Sequence, residues 1–408
     1  MKETHDSPPA PGTTSPSFHR RAFVQASLAG ALGGALSACA GPDGKTAAGG
    51  APEKGPEAPA AGRPGIPGPF PGRVVEVVHP GSIQGRAIVR EAVRDMVARG
   101  MKELTGAPEA VEAWRRLFEP GDVVGVKVNP VGWPHVFSSH ELVHEVVAGL
   151  GSAGVSARDI VIFDRYRAQF RKAGYVKNLP EGVRWDATVE DYDNVQLDIE
   201  GYDPDVYREI ELVSRDHHDP ADPRTRHSHL SLIVSRKVEK IINLPVLKDH
   251  GSAGVTLSLK NMSHGFVNNV ARSHGNASTN ACNVFIPAIC SLPQIRSKVV
   301  LHVLDGLRGM FEGGPGGRVG TSWDNHTLYF ATDPVALDRI GWEAVDRKRV
   351  AVGLPLVAES RWVPAGDDDQ HRRHSFRQPE HIELSAALGL GVFDRDKIDL
   401  HRLEVKPA

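Results

Sequence analysis

The stretch DVVGVKVN, residues 122–129, decides the fold when it is read with DIVIFDR, residues 159–165. Both are near-continuous Val and Ile runs, which suit strands covered on both faces rather than strands with one wet side. Between them, Ser138-Ser139-His140-Glu141 opens a helical pattern that runs to about Ala153. Strand, helix and strand thus follow one another with short joints, the order of a parallel βαβ unit.

The same grammar extends in both directions. Upstream, Arg73 to Val78 reads as a strand, and Ile88, Val89, Ala92, Val93, Met96 and Val97 form the apolar stripe of a helix. Downstream, KIINLPV, VVLHVLD and TLYFATD are again buried-type strands, and Asp333-Pro334 supplies the cap carboxylate and first-turn proline of another helix. Residues 183–238 break the pattern with short alternating runs, VQLDIE and YREIELVS, and the polar stretch DHHDPADPRTRHSH. The predicted fold is therefore α/β over residues 73–408, a mostly parallel sheet flanked by helices, with an inserted polar and partly antiparallel lobe at about 183–238. No internal repeat is visible.

The N-terminus carries a different message. Arg20 and Arg21 precede an apolar stretch, Ala22 to Ala38, that ends in Leu36-Ser37-Ala38-Cys39. That order resembles a twin-arginine export signal closing in a lipobox, so residues 1–38 are expected to be removed and Cys39 acylated. The run is short of the roughly 20 apolar residues that span a bilayer. Residues 39–72 are rich in Ala, Gly and Pro, cannot bury enough apolar surface to fold, and read as a tether of roughly 30 Å average reach. The expected location is the cell envelope, and the expected partners are the twin-arginine export machinery and a membrane surface. A formal charge of −2 gives no broad basic face, which argues against nucleic acid.

Several motifs invite chemistry. His140-Glu141-Leu142-Val143-His144 satisfies H-E-x-x-H, the helix of zinc peptidases. With Ser138 as the cap, however, Glu141 falls at the third helical position, where a capping box turns it onto the backbone, and no third ligand stands at a usual spacing. His217, His218, His227 and His229 with Asp219 and Asp222 read as a polar surface insertion, and DDDQHRRH at 367–374 as a solvated loop. Gly313, Gly314, Gly316 and Gly317 lack the Lys-Ser or Lys-Thr of a phosphate loop and read as a mobile hairpin or lid. Cys282 and Cys290, eight residues apart, would lie about 12 Å apart in a straight helix and are expected to be buried free thiols.

A more coherent set falls at strand ends. Lys127 and Asn129 end one strand, Lys248, Asp249 and His250 follow another, Lys260 and Asn261 come a turn or two later, Asp305 ends a third strand and Asp333 a fourth. Ligands of open α/β sheets collect at the carboxyl ends of the strands, so these side chains are expected to converge. Lys127, Asn129, Lys248, Lys260 and Asn261 suit an anionic small molecule, while His250 and Asp305 are the candidate acid–base pair or holders of a divalent metal.

The segments KVN at 127–129, NLPVLKDHGSAGVTLSLKN at 243–261, HVLDGLRGMFEGGPGG from 302 and TDPVALD at 332–338 together resemble the family catalogued as domain of unknown function 362. The resemblance spans roughly residues 120–345. Members are often named as iron–sulfur centre proteins, some with a ferredoxin module. This chain has no Cys-x-x-Cys-x-x-Cys segment, and two cysteines cannot supply four thiolates, so no cluster is expected from it alone. The resemblance implies a fold unit and no reaction. Two classes stay open: an enzyme, metal-assisted or not, acting on an anion, and a non-catalytic binding or redox-accessory lipoprotein. A zinc peptidase ranks third.

Overall fold

A computed structural model describes residues 64–193, 195–212, 219, 221–274, 281–316, 320–360 and 377–405, all within the compact unit Lys54–Ala408. In chain order the elements used below are β1 (Arg73–Val78), α1 (Arg90–Thr105), β2 (Val124–Lys127), α2 (His140–Ala153), β3 (Ile160–Tyr166), β4 (Arg184–Val189), β5 (Tyr202–Glu209) and β6 (His227–Ser231). There follow β7 (Lys240–Asn243), β8 (Val246–His250), α3 (Leu257–Phe266), α4 (Cys282–Cys290), β9 (Val299–Met310), β10 (Ser322–Ala331), α5 (Pro334–Ala351), α6 (Glu380–Ala387) and β11 (Asp399–Glu404). The helix reading between residues 122 and 165 holds: β2 and β3 pair in parallel, Val124 against Ile160 and Lys127 against Phe163, with α2 as the crossover.

Across the main sheet the order is β11, β1, β10, β9, β7, β2, β3, β4. The half from β9 to β4 is parallel. On the other side TLYFATD departs from the parallel reading. It lies in β10, which returns antiparallel from β9 and runs antiparallel to β1. β9 is long enough to serve two neighbours, pairing with β7 at Leu301 and His302 and with β8 from Val246 opposite Asp305.

Alternation along the buried strands feeds two apolar layers. Val124, Val126, Ile162 and Ile242 face α1 and α2, with Met96, Leu142 and Val146. Val161, Phe163, Ile241 and Val299 face the layer of α3, α4 and α5, with Leu257, Phe285 and Val335. A sheet covered on both faces is what the continuous Val/Ile runs require.

Two boundaries move. Residues 64–72, assigned to the tether, pack on the domain: Ile66 is fully buried with its N–H on the Arg296 carbonyl at 2.7 Å, and Gly72 N–H reaches Asp333 Oδ2 at 2.9 Å. Within 183–238, β4 is an edge strand of the main sheet and only β5 and β6 form the small antiparallel sheet. VQLDIE is not a strand. Gln196 sits at φ +57°, and the carboxylates of Asp193 and Asp198 take the N–H groups of Gln196 and Glu200 at 2.6 and 2.8 Å, which are turn bonds that compete with a ladder. Residues 1–38, most of the tether, Gly317, His217, His218 and residues 367–374 lie outside the described residues. Among the described residues no helix is long and apolar enough to cross a membrane.

Candidate functional site

Six of the side chains selected by the strand-end argument line one cleft of about 270 Å³: Lys127, Asn129, Lys248, His250, Lys260 and Asn261. The end of β2 and the residues just after it deliver the first two, β8 the next two, and the N-terminal half of α3 the last two. All are at least nine-tenths buried.

Beneath the cleft these groups form a linked polar floor. Lys127 Nζ donates to Asp164 Oδ1 at 2.6 Å and to the Val128 carbonyl at 2.7 Å. Asn261 Oδ1 accepts from Asn129 Nδ2 at 3.0 Å, and Asn261 Nδ2 donates to Asn243 Oδ1 at 2.7 Å. Lys248 Nζ donates to Asn129 Oδ1 at 3.0 Å and to the Val131 carbonyl. Gly265 is needed for this arrangement, because a Cβ there would lie 2.5 Å from Lys127 Cε and 2.7 Å from Nζ.

Charge in the cleft is unbalanced. Lys127 is neutralised by Asp164, but Asp249, next to Lys248 in sequence, gives its carboxylate to Arg377 Nη1 and Gly314 N–H, each at 2.8 Å. Lys248 has no carboxylate partner among the described residues, and Lys260's ammonium has neither a hydrogen-bond nor an ion-pair partner among them. Arg165 is buried too, and donates to Tyr202 Oη at 3.0 Å, Gln196 Oε1 at 3.3 Å and the His264 carbonyl at 3.5 Å, all neutral acceptors. Burial, reinforced by the charge of Lys260, pushes the Lys248 ammonium down to about 7. Burial also pushes Lys260 down to about 8.

His250 takes a narrower role than acid–base exchange. Its Nδ1 accepts from the N–H groups of Ser252 and Ala253 at 3.0 and 3.1 Å, which fixes the neutral tautomer with the proton on Nε2. Burial, then the charge of Lys260, holds its pKa well below the usual histidine range. His250 therefore offers the cleft a neutral N–H donor. The ring lies 5.6 Å from that of His274.

Asp305 is not part of this cleft. Its Oδ2 takes both the N–H and the hydroxyl of Ser139 at 2.7 Å, and its Oδ1 takes Leu307 N–H at 3.2 Å. Burial raises it to about 6 in spite of those donors. It fastens β9 to the start of α2 and does not line the cleft with His250, so the two do not form the expected acid–base or metal couple there. Asp333 is likewise a cap: Val335 and Ala336 N–H donate to Oδ1 at 2.9 Å.

The Asp305 contact also changes the HELVH segment. Ser139, not Ser138, is the N-cap, and with its hydroxyl given to Asp305 it makes no side-chain cap, so the expected box with Glu141 does not form. His140 Nε2 bonds the Ala173 carbonyl at 3.0 Å, and the ring packs edge-on to Phe137 and Tyr175. Among the described residues no group of three or more His, Cys, Asp or Glu side chains is arranged to hold a metal ion. Cys282 and Cys290 are free and buried on α4. The glycine segment, expected as a mobile hairpin, is pinned at Gly314, whose N–H and carbonyl both bond the 249–251 turn, and Pro315 lines the cleft.

Asp164, Arg165, Tyr166, Thr256 and His264 also line the cleft and were not selected from sequence. Asp164 and Arg165 close DIVIFDR, so the strand-end rule applied to that strand would have found them. Across the Arg165–Tyr166 wall lies a wider cleft of about 400 Å³ rimmed by Glu190, Asp191, Asp193 and Asp198. Those carboxylates repel an anion, and several are already occupied, Glu190 by Arg167 and Asp193 and Asp198 by backbone N–H groups.

The chain matches no curated protein. Residues 124–343, just over half of the chain and the segment that supplies every side chain of the cleft named above, match the family described as "Domain of unknown function (DUF362)", and the chain belongs to that family.

Proposed function

We propose that the protein binds a small anionic molecule in the cleft between β2, β8 and α3, and that it does so as an exported protein held at a membrane surface through Cys39. The observation that carries the binding reading is the set of three buried cations, Lys248, Lys260 and Arg165, with no carboxylate partner among the described residues. A buried charge is normally paired, and a bound phosphate or carboxylate supplies the missing partner. His250, neutral with its proton on Nε2, adds a donor to the lining of the same cleft.

Isothermal titration of the mature protein with phosphate, sulfate and small carboxylates tests this. Lys260→Met is expected to weaken the best of these anions by roughly tenfold or more, the worth of about 1.5–3 kcal/mol for a charge-assisted hydrogen bond. Binding that is absent for every anion, or unchanged by Lys260→Met, refutes the reading. Proton uptake should accompany binding above about pH 7, because an anion held by Lys260 restores the proton that burial strips from that lysine.

A further inference from the structure

We infer that Lys248 is a nucleophilic amine that forms an imine with a small anion carrying an aldehyde or ketone, the anion being held by Lys260 and Arg165. This rests on the anion-binding reading above and names the class of ligand.

Three features of the cleft support it. The two described acceptors around Lys248 Nζ, Asn129 Oδ1 and the Val131 carbonyl, match the two hydrogens of a neutral amine. The nitrogen's remaining direction is then a lone pair, and Lys248 lines the cleft rather than the floor alone. The charged groups that act on it are Lys260 and Lys127, which oppose a proton, and Asp249 and Asp164, which favour one. Both carboxylates are committed elsewhere, to Arg377 and to Lys127. The balance with burial leaves Lys248 near 7, so a large fraction is unprotonated at neutral pH. A desolvated lysine beside a second cation is a recognised way to make such an amine. Lys260 is thereby given two tasks, keeping Lys248 deprotonated and drawing in the anion whose carbonyl Lys248 attacks.

The chemistry balances without a further reagent. The Lys248 Nζ lone pair forms a bond to the carbonyl carbon, and one amine hydrogen moves to the oxygen to give a carbinolamine. The C–O bond then breaks, the second amine hydrogen leaves with that oxygen as water, and a C=N bond remains. No oxidation or reduction occurs.

The test is reductive trapping on the mature protein at about neutral pH. Pyruvate serves as the carboxylate probe, glyceraldehyde 3-phosphate as the phosphate probe and acetone as the uncharged carbonyl, each with borohydride, and peptide mass spectrometry locates the adduct. Stoichiometric labelling of Lys248 by one of the anionic probes, suppressed by excess sulfate and at least about tenfold above acetone, is expected from the added charge contact. Which probe labels tells whether the anion is a carboxylate or a phosphate. Lys248→Arg removes the nucleophilic amine and is expected to lose the adduct, with circular dichroism of the same sample checking that the variant is folded. Labelling spread over exposed lysines, or equal labelling in Lys248→Arg, overturns the inference. So does binding of lactate or phosphate with no trapped adduct from either probe, which leaves the anion-binding reading standing. Absence of any anion binding defeats that reading instead.

Discussion

Burying Lys260 with no partner among the described residues costs the folded protein free energy, and the cost has a pH signature. Its pKa falls from 10.5 to about 8, a shift worth about 3 kcal/mol. Below pH 8 the lysine is charged in both folded and unfolded chains, and folding bears the whole cost. Between 8 and 10.5 the folded protein has shed the proton while the unfolded chain retains it, so stability rises with pH, and above 10.5 the cost is gone. Lys260→Met, which keeps the apolar stem, is therefore expected to stabilise the ligand-free protein by up to about 3 kcal/mol near pH 6 and by almost nothing near pH 10.5. Urea denaturation at the two pH values measures this. A variant no more stable than wild type near pH 6 would show that the ammonium is not the desolvated charge described. Loss of binding together with a gain in stability is the pattern of a residue kept for its ligand.

Among the elements, α3 brings the site together, and it is held from outside. Thr256 gives its start no side-chain cap, and Leu257 stands at φ +44°, an unfavourable conformation for a leucine. Asp338 on α5 supplies what is missing: its carboxylate takes Ser258 and Leu259 N–H at 2.7 and 2.9 Å. Asp338→Ala is expected to cost about 2 kcal/mol, the upper range for a lost helix cap, because the freed N–H groups are buried. It should also weaken anion binding although Asp338 does not line the cleft, since Lys260 and Asn261 ride on that turn. Chemical denaturation and titration of the same variant check the two effects, and affinity unchanged at lower stability would mean that α3 keeps its place without the clamp. The strand-end rule found the cleft because Lys127 is the last residue of β2 and Lys248 and His250 fall in the closing half of β8. It misplaced Asp305 because VVLHVLD is only the first part of a strand that continues to Met310. Apolar composition does not mark where a strand stops when glycine and arginine can extend it along a neighbour. The Asp338 clamp was equally hidden, since its partners are backbone N–H groups some eighty positions away in the chain.

At the level of the whole molecule, closure of the sheet bears on the proposed export. β1 lies between β10 and β11, with Arg73 opposite Asp399 and Val78 opposite Glu404, so the first strand gains its second neighbour only when residues near 400 have been made. Contacts of that sequence separation form late, and a chain held unfolded for threading would expose long Val/Ile runs in the meantime. A route that accepts folded cargo suits this topology, and Arg20-Arg21 ahead of the apolar segment resembles the signal for such a route. The expected outcome is a mature chain that begins at Cys39, carries acyl mass on that residue, and sediments with membranes. Replacing Arg20 and Arg21 together by lysine should leave full-length protein in the cytoplasm, folded and still able to bind its anion, whereas Cys39→Ala should leave the folded domain without its anchor. Fractionation with mass spectrometry of the N-terminal peptide measures all three. Wild-type protein that is soluble in the cytoplasm with residues 1–38 intact contradicts the export reading, and it does so without touching the cleft, because residues 64–72 and everything that lines the site belong to the folded domain and not to residues 1–38.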